Sequence, residues 1–339
     1  MRGNSFGKML SITSFGESHG VGIGVVVDGV PSGLDFSLDD LTNELLRRAP
    51  GQVAGTTSRK ESDQPEVLSG IFEGKTLGSP IAVLIRNTNQ RSKDYDKLKD
   101  EYRPGHADET YIKKFGIRDH RGGGRSSGRE TIARVIGGYF ASLVLDDVIV
   151  KGFMTKMGPF EASELPKSED LKRNFAPYYF PCAETEKKEK DIEIRNYLLD
   201  LKKNGDSRGG KVSIIAKGVP AGLGEPAFDK LKADLAKGLL SIGAVVSFSF
   251  GLGEEMANWE GSKISQDRAH FGGIEGGISN GEELVLNITF KPTSTVGEKA
   301  KDGRHDPCII PRAIPVAEAM VKLVLADHLL RQRAYENRN

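Results

Sequence analysis

GIGVVVDGVPSGL at residues 22–34 and VSIIAKGVPAGL at residues 212–223 are the two stretches on which the fold turns. Each is a β-rich run closed by a turn, and the turns match: Gly29-Val30-Pro31-Ser32-Gly33-Leu34 and Gly218-Val219-Pro220-Ala221-Gly222-Leu223. A helix should follow each. In the first, Ser37 can cap it, and Leu41, Leu45 and Leu46 fall on one face. In the second, Phe228, Leu231, Leu235 and Leu239 do the same. Short matches arise by chance, but here the order repeats as well. Ser69-Gly70-Ile71 to Ile85, and Gly276-Gly277-Ile278 to Phe290, both read as a glycine turn and a β run. A Gly/Arg/His-rich loop then precedes a long helix: loop 118–128 with a helix near 129–145, and loop 301–312 with a helix near 315–331. We read a single domain over 1–339, built from two pseudo-repeats at about 1–150 and 211–339. Each amphipathic helix must bury a face against another element. The expected fold is therefore α/β (α+β), an internally duplicated β-α-α-β sandwich with helices inside and sheets outside. Residues 151–210, rich in Lys and Glu, read as an inserted excursion with a solvated helix around 185–203.

Glycine is the abnormal count: 41 in 339 residues, about 12% against roughly 7% on average. The glycines cluster at Gly20, Gly22 and Gly24, at Gly122 to Gly124, and at Gly272, Gly273, Gly276 and Gly277. Such clusters suit a backbone-lined site for a large phosphorylated ligand. Basic and acidic residues nearly cancel, 48 against 47, which gives no sign of a nucleic-acid or membrane partner. Cys182 and Cys308 have no metal-ligand spacing, and no HxH or HExxH occurs, so no metal is expected. Residues 1–20 lack an apolar core of signal-peptide length, and no run approaches the ~18 apolar residues of a membrane span. The expected compartment is the cytoplasm.

Arg121-Gly122-Gly123-Gly124-Arg125-Ser126-Ser127-Gly128-Arg129-Glu130 is the most informative loop. Ser127 and Glu130 fit a capping box, and Ile132, Val135, Ile136, Tyr139, Phe140 and Leu143 supply a buried helix face. Backbone N–H groups at a helix start favour an anion, and Arg125 and Arg129 add forked donors for phosphate or carboxylate. A Walker P-loop is absent. Taken alone, the loop is equally an ordinary capped helix with surface arginines, or a single RGG-like RNA box. Histidine is scarce, six in all, yet His19, His106 and His305 all lie in loops with Gly, Arg and acids. Imidazole titrates near neutral pH, so these are candidate proton donors or acceptors. Lys291-Pro292-Thr293-Ser294-Thr295 follows a β run and can form a ligand edge or a plain turn.

Together these segments resemble the chorismate synthase family over nearly the whole chain. The likeness rests on Phe15-Gly16-Glu17-Ser18-His19-Gly20, on Asp119 to Arg134, and on Gly303-Arg304-His305-Asp306-Pro307-Cys308 through Glu318. Arg103-Pro104-Gly105-His106-Ala107-Asp108 and Lys291 to Ser294 also match. The resemblance implies anti-1,4-elimination of phosphate from 5-enolpyruvylshikimate 3-phosphate to give chorismate. Reduced FMN (FMNH2) serves in the family as transient electron donor. By motif, His19 resembles the acid that protonates the departing phosphate, and Ser18 lies beside it. His106 resembles the histidine near the flavin pyrimidine edge, and Asp306 the carboxylate that accepts the C6 proton with flavin N5. Flavin contacts are expected from Arg125, Ser126, Ser127, Gly243, Ala244, Gly276, Lys291, Pro292, Thr293, Ser294, Thr295 and Arg304, and substrate contacts from Ser18, Arg48, Arg103 and Arg129. The family likeness also implies a homotetramer.

Two positions depart from the family pattern. Ala54 stands where many members have arginine, a place Arg47 or Arg59 could fill. Ala269 stands where asparagine is usual, with His270 as a substitute donor. Two other readings compete with the lyase. A bifunctional enzyme reducing its own FMN with NADPH is one, although no GxGxxG follows a strand. A non-enzymatic phosphate- or RNA-binding protein is the other; the near-zero net charge opposes it, and steep salt dependence of RNA affinity would favour it.

Overall fold

The computed structural model describes residues 3–56, 63–87, 102, 105–119, 122–301 and 305–336. In chain order the first half contains β1 (Ser5–Phe6), β2 (Ser11–Gly16), β3 (Gly22–Asp28), α1 (Leu38–Arg48), β4 (Pro65–Val67), β5 (Ile71–Phe72), β6 (Lys75–Thr76), β7 (Ile81–Arg86), α2 (Asp108–Phe115) and α3 (Thr131–Leu145). The second half contains β8 (Ile149–Met157), β9 (Phe160–Glu161), α4 (Lys187–Lys203), β10 (Gly210–Lys217), α5 (Leu231–Leu240), β11 (Val245–Phe250), α6 (Gly261–Ile264), β12 (Ile274–Glu275), β13 (Ile278–Ser279), β14 (Leu284–Phe290), α7 (Glu298–Lys301) and α8 (Ile310–Arg333).

Two five-stranded antiparallel sheets form, ordered β1-β2-β3-β7-β4 and β11-β14-β10-β8-β9. Strands β2, β3, β4 and β7 of one sheet correspond in order and pairing to β8, β10, β11 and β14 of the other. The hairpins β5–β6 and β12–β13 occupy matching places before β7 and β14. Helices α3 and α8 pack on each other; α3 also lies on β2 and β3, and α8 on β8 and β10. Helices α1 and α5 join them, so helices fill the middle and sheets close the outside, as the paired GVP turns imply.

The local reasons are plain. Ser37 Oγ accepts from the Asp40 amide at 3.1 Å and starts α1, whose Leu41 and Leu45 are buried. In β7 and β14 buried and half-buried residues alternate, as strands with one face on a core require. The run in β10 is buried on both faces, because Phe153, Leu171, Phe175 and Ile215 form a second small core on its outer side.

Several expectations need correction. Leu46 is exposed, and Phe228 is 93% exposed and lies before α5, so neither belongs to its helix's buried face. Leu143 is only half-buried, whereas Gly137 and Gly138 are buried, because α3 is enclosed by α8 as well as by its own sheet. The excursion does not begin at 151: β8 pairs with β10 along the middle of the second sheet. The charged helix α4 buries Ile194, Leu198 and Leu201 and is not fully solvated. Helix α8 starts at Ile310, with Pro311 in its first turn and Pro315 inside it.

Candidate active site

A cavity of about 830 Å³ opens between the halves. Arg125, Ser126 and Ser127 line one side, from a 3₁₀ turn that leads toward α3. The expected capping box is half formed. Ser127 Oγ accepts from the Arg129 amide at 3.3 Å, but Glu130 pairs with Arg134 at 2.9 Å, one helical turn on, rather than reaching back. Arg125 donates to the Gly16 carbonyl at 3.1 Å and to Ser14 Oγ, which ties this turn to β2. Gly243 and Ala244 line the cavity between α5 and β11; Ala244 has φ 71°, a left-handed conformation that a non-glycine residue rarely holds. The Ala244 carbonyl accepts from the Lys291 amide at 2.9 Å, which sets the strip Lys291 to Thr295 along the same wall.

His106 reaches this cavity from the first half. Its loop is fastened across the opening: Lys291 Nζ and Ser294 Oγ both donate to the Gly105 carbonyl, at 3.1 and 2.8 Å. His106 Nδ1 lies 3.0 Å from Asp108 Oδ1, and Arg118 holds the same carboxylate oxygen at 3.0 Å. A carboxylate only accepts, so Nδ1 carries the proton of that bond.

Asp306 lies behind the cavity wall. Its Oδ2 accepts from Arg312 Nη1 at 2.9 Å, and Thr293 Oγ1 donates to its carbonyl at 2.9 Å. Burial raises its carboxyl above the usual range; Arg312, the Cys308 amide and His305 oppose that rise without cancelling it. Arg312 itself lines the cavity and also donates to the Arg48 carbonyl at 3.2 Å.

His19 is not among the residues lining this cavity, but its turn adjoins the Arg125 loop. Ser18 Oγ is 3.0 Å from His19 Nδ1, and Gly122 packs on the imidazole so tightly that a Cβ there would sit 2.0 Å from Nδ1. Arg48 lines the cavity from the end of α1. Arg129 is buried and shares Asp63 with it: Arg129 Nη1 donates to Oδ1 at 2.9 Å, and Arg48 Nη1 faces Oδ2 at 3.3 Å without hydrogen-bond alignment.

A family model for chorismate synthase matches residues 10–330. The chorismate synthase of Christiangramia forsetii is 46% identical over 362 aligned positions, covering 98% of this chain and 99% of that protein. The chorismate synthase of Methanosarcina barkeri is 48% identical, covering 98% and 97%. A crystal structure of chorismate synthase superimposes with a TM-score of 0.73 at 29% identity, over 96% of this chain and 93% of that one. The chain belongs to the chorismate synthase family. It is a lyase of the shikimate pathway, on the route to aromatic amino acids, as the motifs implied.

For a chorismate synthase, the sequence motifs converge unevenly. Ten of the twelve expected flavin contacts stand together at the cavity: Arg125, Ser126, Ser127, Gly243, Ala244, Lys291, Pro292, Thr293, Ser294 and Thr295. Gly276 sits instead in the turn between β12 and β13, where Lys230 donates to its carbonyl at 3.0 Å. Arg103, Arg304 and Arg59 lie outside the described residues. Arg47 does not stand in for an arginine at 54; it is drawn to the buried Glu318 at 2.7 Å. His270 does not replace an asparagine at the cavity; its Nδ1 faces the Ile264 carbonyl at 3.0 Å and its ring packs on Trp259. His305 is buried and does not line the cavity; its Nε2 faces the Asp206 carbonyl at 3.4 Å. Sequence reading missed Asp63, Asn87 and Arg312, whose partners lie far away in the chain, and it quoted Asp108 without seeing its bond to His106. No helix among the described residues is long and apolar enough to cross a membrane.

Proposed function

We propose that this cavity holds reduced FMN against 5-enolpyruvylshikimate 3-phosphate, and that the chain eliminates the phosphate and a C6 hydrogen to give chorismate. The observation that carries the reading is the convergence of the Arg125–Ser127 turn, the Gly243-Ala244 turn and the Lys291–Thr295 strip, from both halves of the fold, on one cavity with His106. Its volume is in the range that suits a flavin nucleotide or a drug-sized ligand. Its donors are backbone amides, hydroxyls and cations, which fit a phosphorylated, hydroxyl-rich group. When bound, reduced flavin supplies the electron that elimination across an unactivated C–H bond needs, and it takes the electron back.

The protein's own groups handle charge and protons. Arg48 and Arg129, with Arg103, bind the anionic groups of the substrate. His19 donates a proton to the leaving phosphate, with Ser18 fixing the ring. His106, held by Asp108, presents Nε2 to the flavin pyrimidine edge. Asp306, whose affinity for a proton burial has increased, receives the C6 proton. Cytoplasmic location and assembly as a homotetramer complete the proposal, and light scattering reads the second.

Turnover is tested anaerobically: protein, FMN and the enolpyruvyl substrate are mixed and reduced with dithionite. Appearance of chorismate absorbance is expected; its absence with folded, flavin-loaded protein would remove the proposal. The acid role makes a sharper prediction. Gly122→Ala places a methyl where the His19 ring now lies, so the ring must turn away while the backbone stays. A displacement of about 1 Å at a reacting group can lower turnover about 10²-fold. Turnover is expected to fall by that order with an almost unchanged melting curve, and His19→Ala in the same background should add little. Normal turnover in Gly122→Ala would take His19 out of the chemistry.

A further inference from the structure

The turn that carries His19 is held from outside its own segment. Asn87, directly after β7, donates through Nδ2 to the carbonyls of Glu17 and Gly20, both at 2.9 Å. Its Oδ1 accepts from Arg129 Nε at 2.7 Å. A guanidinium can only donate and a carbonyl can only accept, so these three partners fix which way the amide faces. The Gly20 amide closes the same turn on the Glu17 carbonyl at 3.1 Å. On its other side, Arg129 bonds Asp63 Oδ1, and Asp63 Oδ2 faces Arg48, which reaches the cavity. The side chains of Arg48, Asp63 and Arg129 are all nine-tenths or more buried, so water screens the contacts little. A continuous set of contacts therefore runs from the cavity wall through Arg48, Asp63, Arg129 and Asn87 to the turn bearing His19.

We infer that Asn87 is a positioning residue, which couples the seating of the substrate's anionic groups at Arg48 and Arg129 to the placement of the His19 imidazole. This rests on the functional reading above. An anion that shifts Arg129 shifts the oxygen end of the Asn87 amide. The nitrogen end then moves the two carbonyls that frame Ser18 and His19. The acid is thus aligned when the polyanion is held, and it is less well aligned when no anion is seated there. A purely architectural amide, by contrast, would need only to keep Arg129 in place.

Asn87→Asp separates the two ends. The carboxylate still accepts from Arg129, but it has no donor at neutral pH and sets charge against two carbonyl oxygens. Asn87→Ala removes both ends. For both variants kcat is expected to fall about 10–100-fold, with KM for the enolpyruvyl substrate within about 3-fold for Asn87→Asp. FMN affinity by flavin fluorescence should be unchanged. The His19 ring C–H resonance, identified by its loss in His19→Ala, should shift on adding substrate to the wild-type protein and not to Asn87→Asp. Wild-type kcat in Asn87→Asp, or a loss confined to KM in both variants, overturns the inference. If Asn87→Ala does not fold, the nearly isosteric Asn87→Asp decides alone. If that too fails to melt cooperatively, Asn87 is architectural and the inference fails. A wild-type protein that turns over no substrate sinks the functional reading instead, and the parallel wild-type assay tells the two failures apart.

Discussion

Asp306→Asn is expected to lower kcat by about 10²–10⁴-fold, the usual loss when a general base is removed, while raising thermal stability at neutral pH. The two effects have one cause. Burial raises the Asp306 carboxyl above its ordinary value of 3.8, and the bond from Arg312 does not fully offset this. The folded state therefore holds a proton that the unfolded chain has already released. Stability contributed by the protonated form is complete below the unfolded pKa and is lost as pH rises through the folded one. Above that window the wild-type protein carries the part of the charge-burial penalty that Arg312, the Cys308 amide and His305 do not offset. Asparagine has nearly the same shape and no charge to bury, so it escapes the penalty but cannot take the C6 proton. The variant should melt above wild type at pH 8, and the gap should close toward pH 4. If Asp306 only caps the turn before Pro307 or anchors Arg312, the result reverses: lower melting temperature, with activity lost only in proportion to folded protein. A C6-deuterated substrate adds a check, since proton removal becomes more rate-limiting and the isotope effect in the variant should grow. Near-normal turnover per folded molecule would take Asp306 out of the proposed chemistry.

The architecture was legible where a local rule had nothing to compete with. The matching Gly-Val-Pro turns, the Ser37 cap and the Leu41/Leu45 spacing all describe residues whose partners lie within a turn or two, and the structure follows them. Errors came where a second surface decides burial. Residues 151–157 carry Lys151 and Lys156 and read as part of a charged excursion, yet their backbone pairs with β10 and their apolar side chains fill a core. Phe228 has helical spacing to Leu231 but precedes the helix and stands in solvent. Spacing reports a face; it does not report where the helix begins.

The candidate site was legible as a set of residue types and less so as a set of contacts. The glycine and arginine loop, the two strand-end turns and His106 do meet at one cavity. His106 and His305 sit in similar letters, between Gly, Arg and Asp, and only packing separates them: one lines the cavity and the other is buried against Asp206. The arginines presented a different difficulty. Counting cations suggests forks waiting for an anion, but Arg48 and Arg129 share a carboxylate from residue 63, in a stretch with no motif. A carboxylate that sets two forks is chosen by tertiary position, so no periodicity announces it.

The glycine pair at 137–138, inside α3, yields the largest structural effect we expect. Glycine inside a helix weakens it by roughly 0.5–1 kcal/mol relative to alanine, so Gly137-Gly138 in α3 looks like a defect. In the structure it is the contact that lets the two central helices meet. A Cβ on Gly138 would lie 2.4 Å from the Ala319 Cβ and 2.5 Å from the Ala319 Cα on α8, and one on Gly137 would lie 2.7 Å from Ile12 on β2. Ala319 Cα is backbone, so the strain cannot be relieved by a rotamer change. The helices must move apart, and with them the two sheets that carry the cavity walls. Gly138→Ala is therefore expected to destabilise the protein by about 1–3 kcal/mol despite alanine's better helix propensity, and Gly138→Leu to exceed that and abolish cooperative folding. Denaturant melting reads both. The cause is isolated by a cycle with Ala319→Gly, which alone should cost about 1 kcal/mol. In that background one of the two shortest contacts is gone, so Gly138→Ala should cost distinctly less, a coupling between touching residues of about 0.5–3 kcal/mol. Equal cost in both backgrounds would mean that the helices do not meet here, and the close packing of α3 on α8 would have to be abandoned.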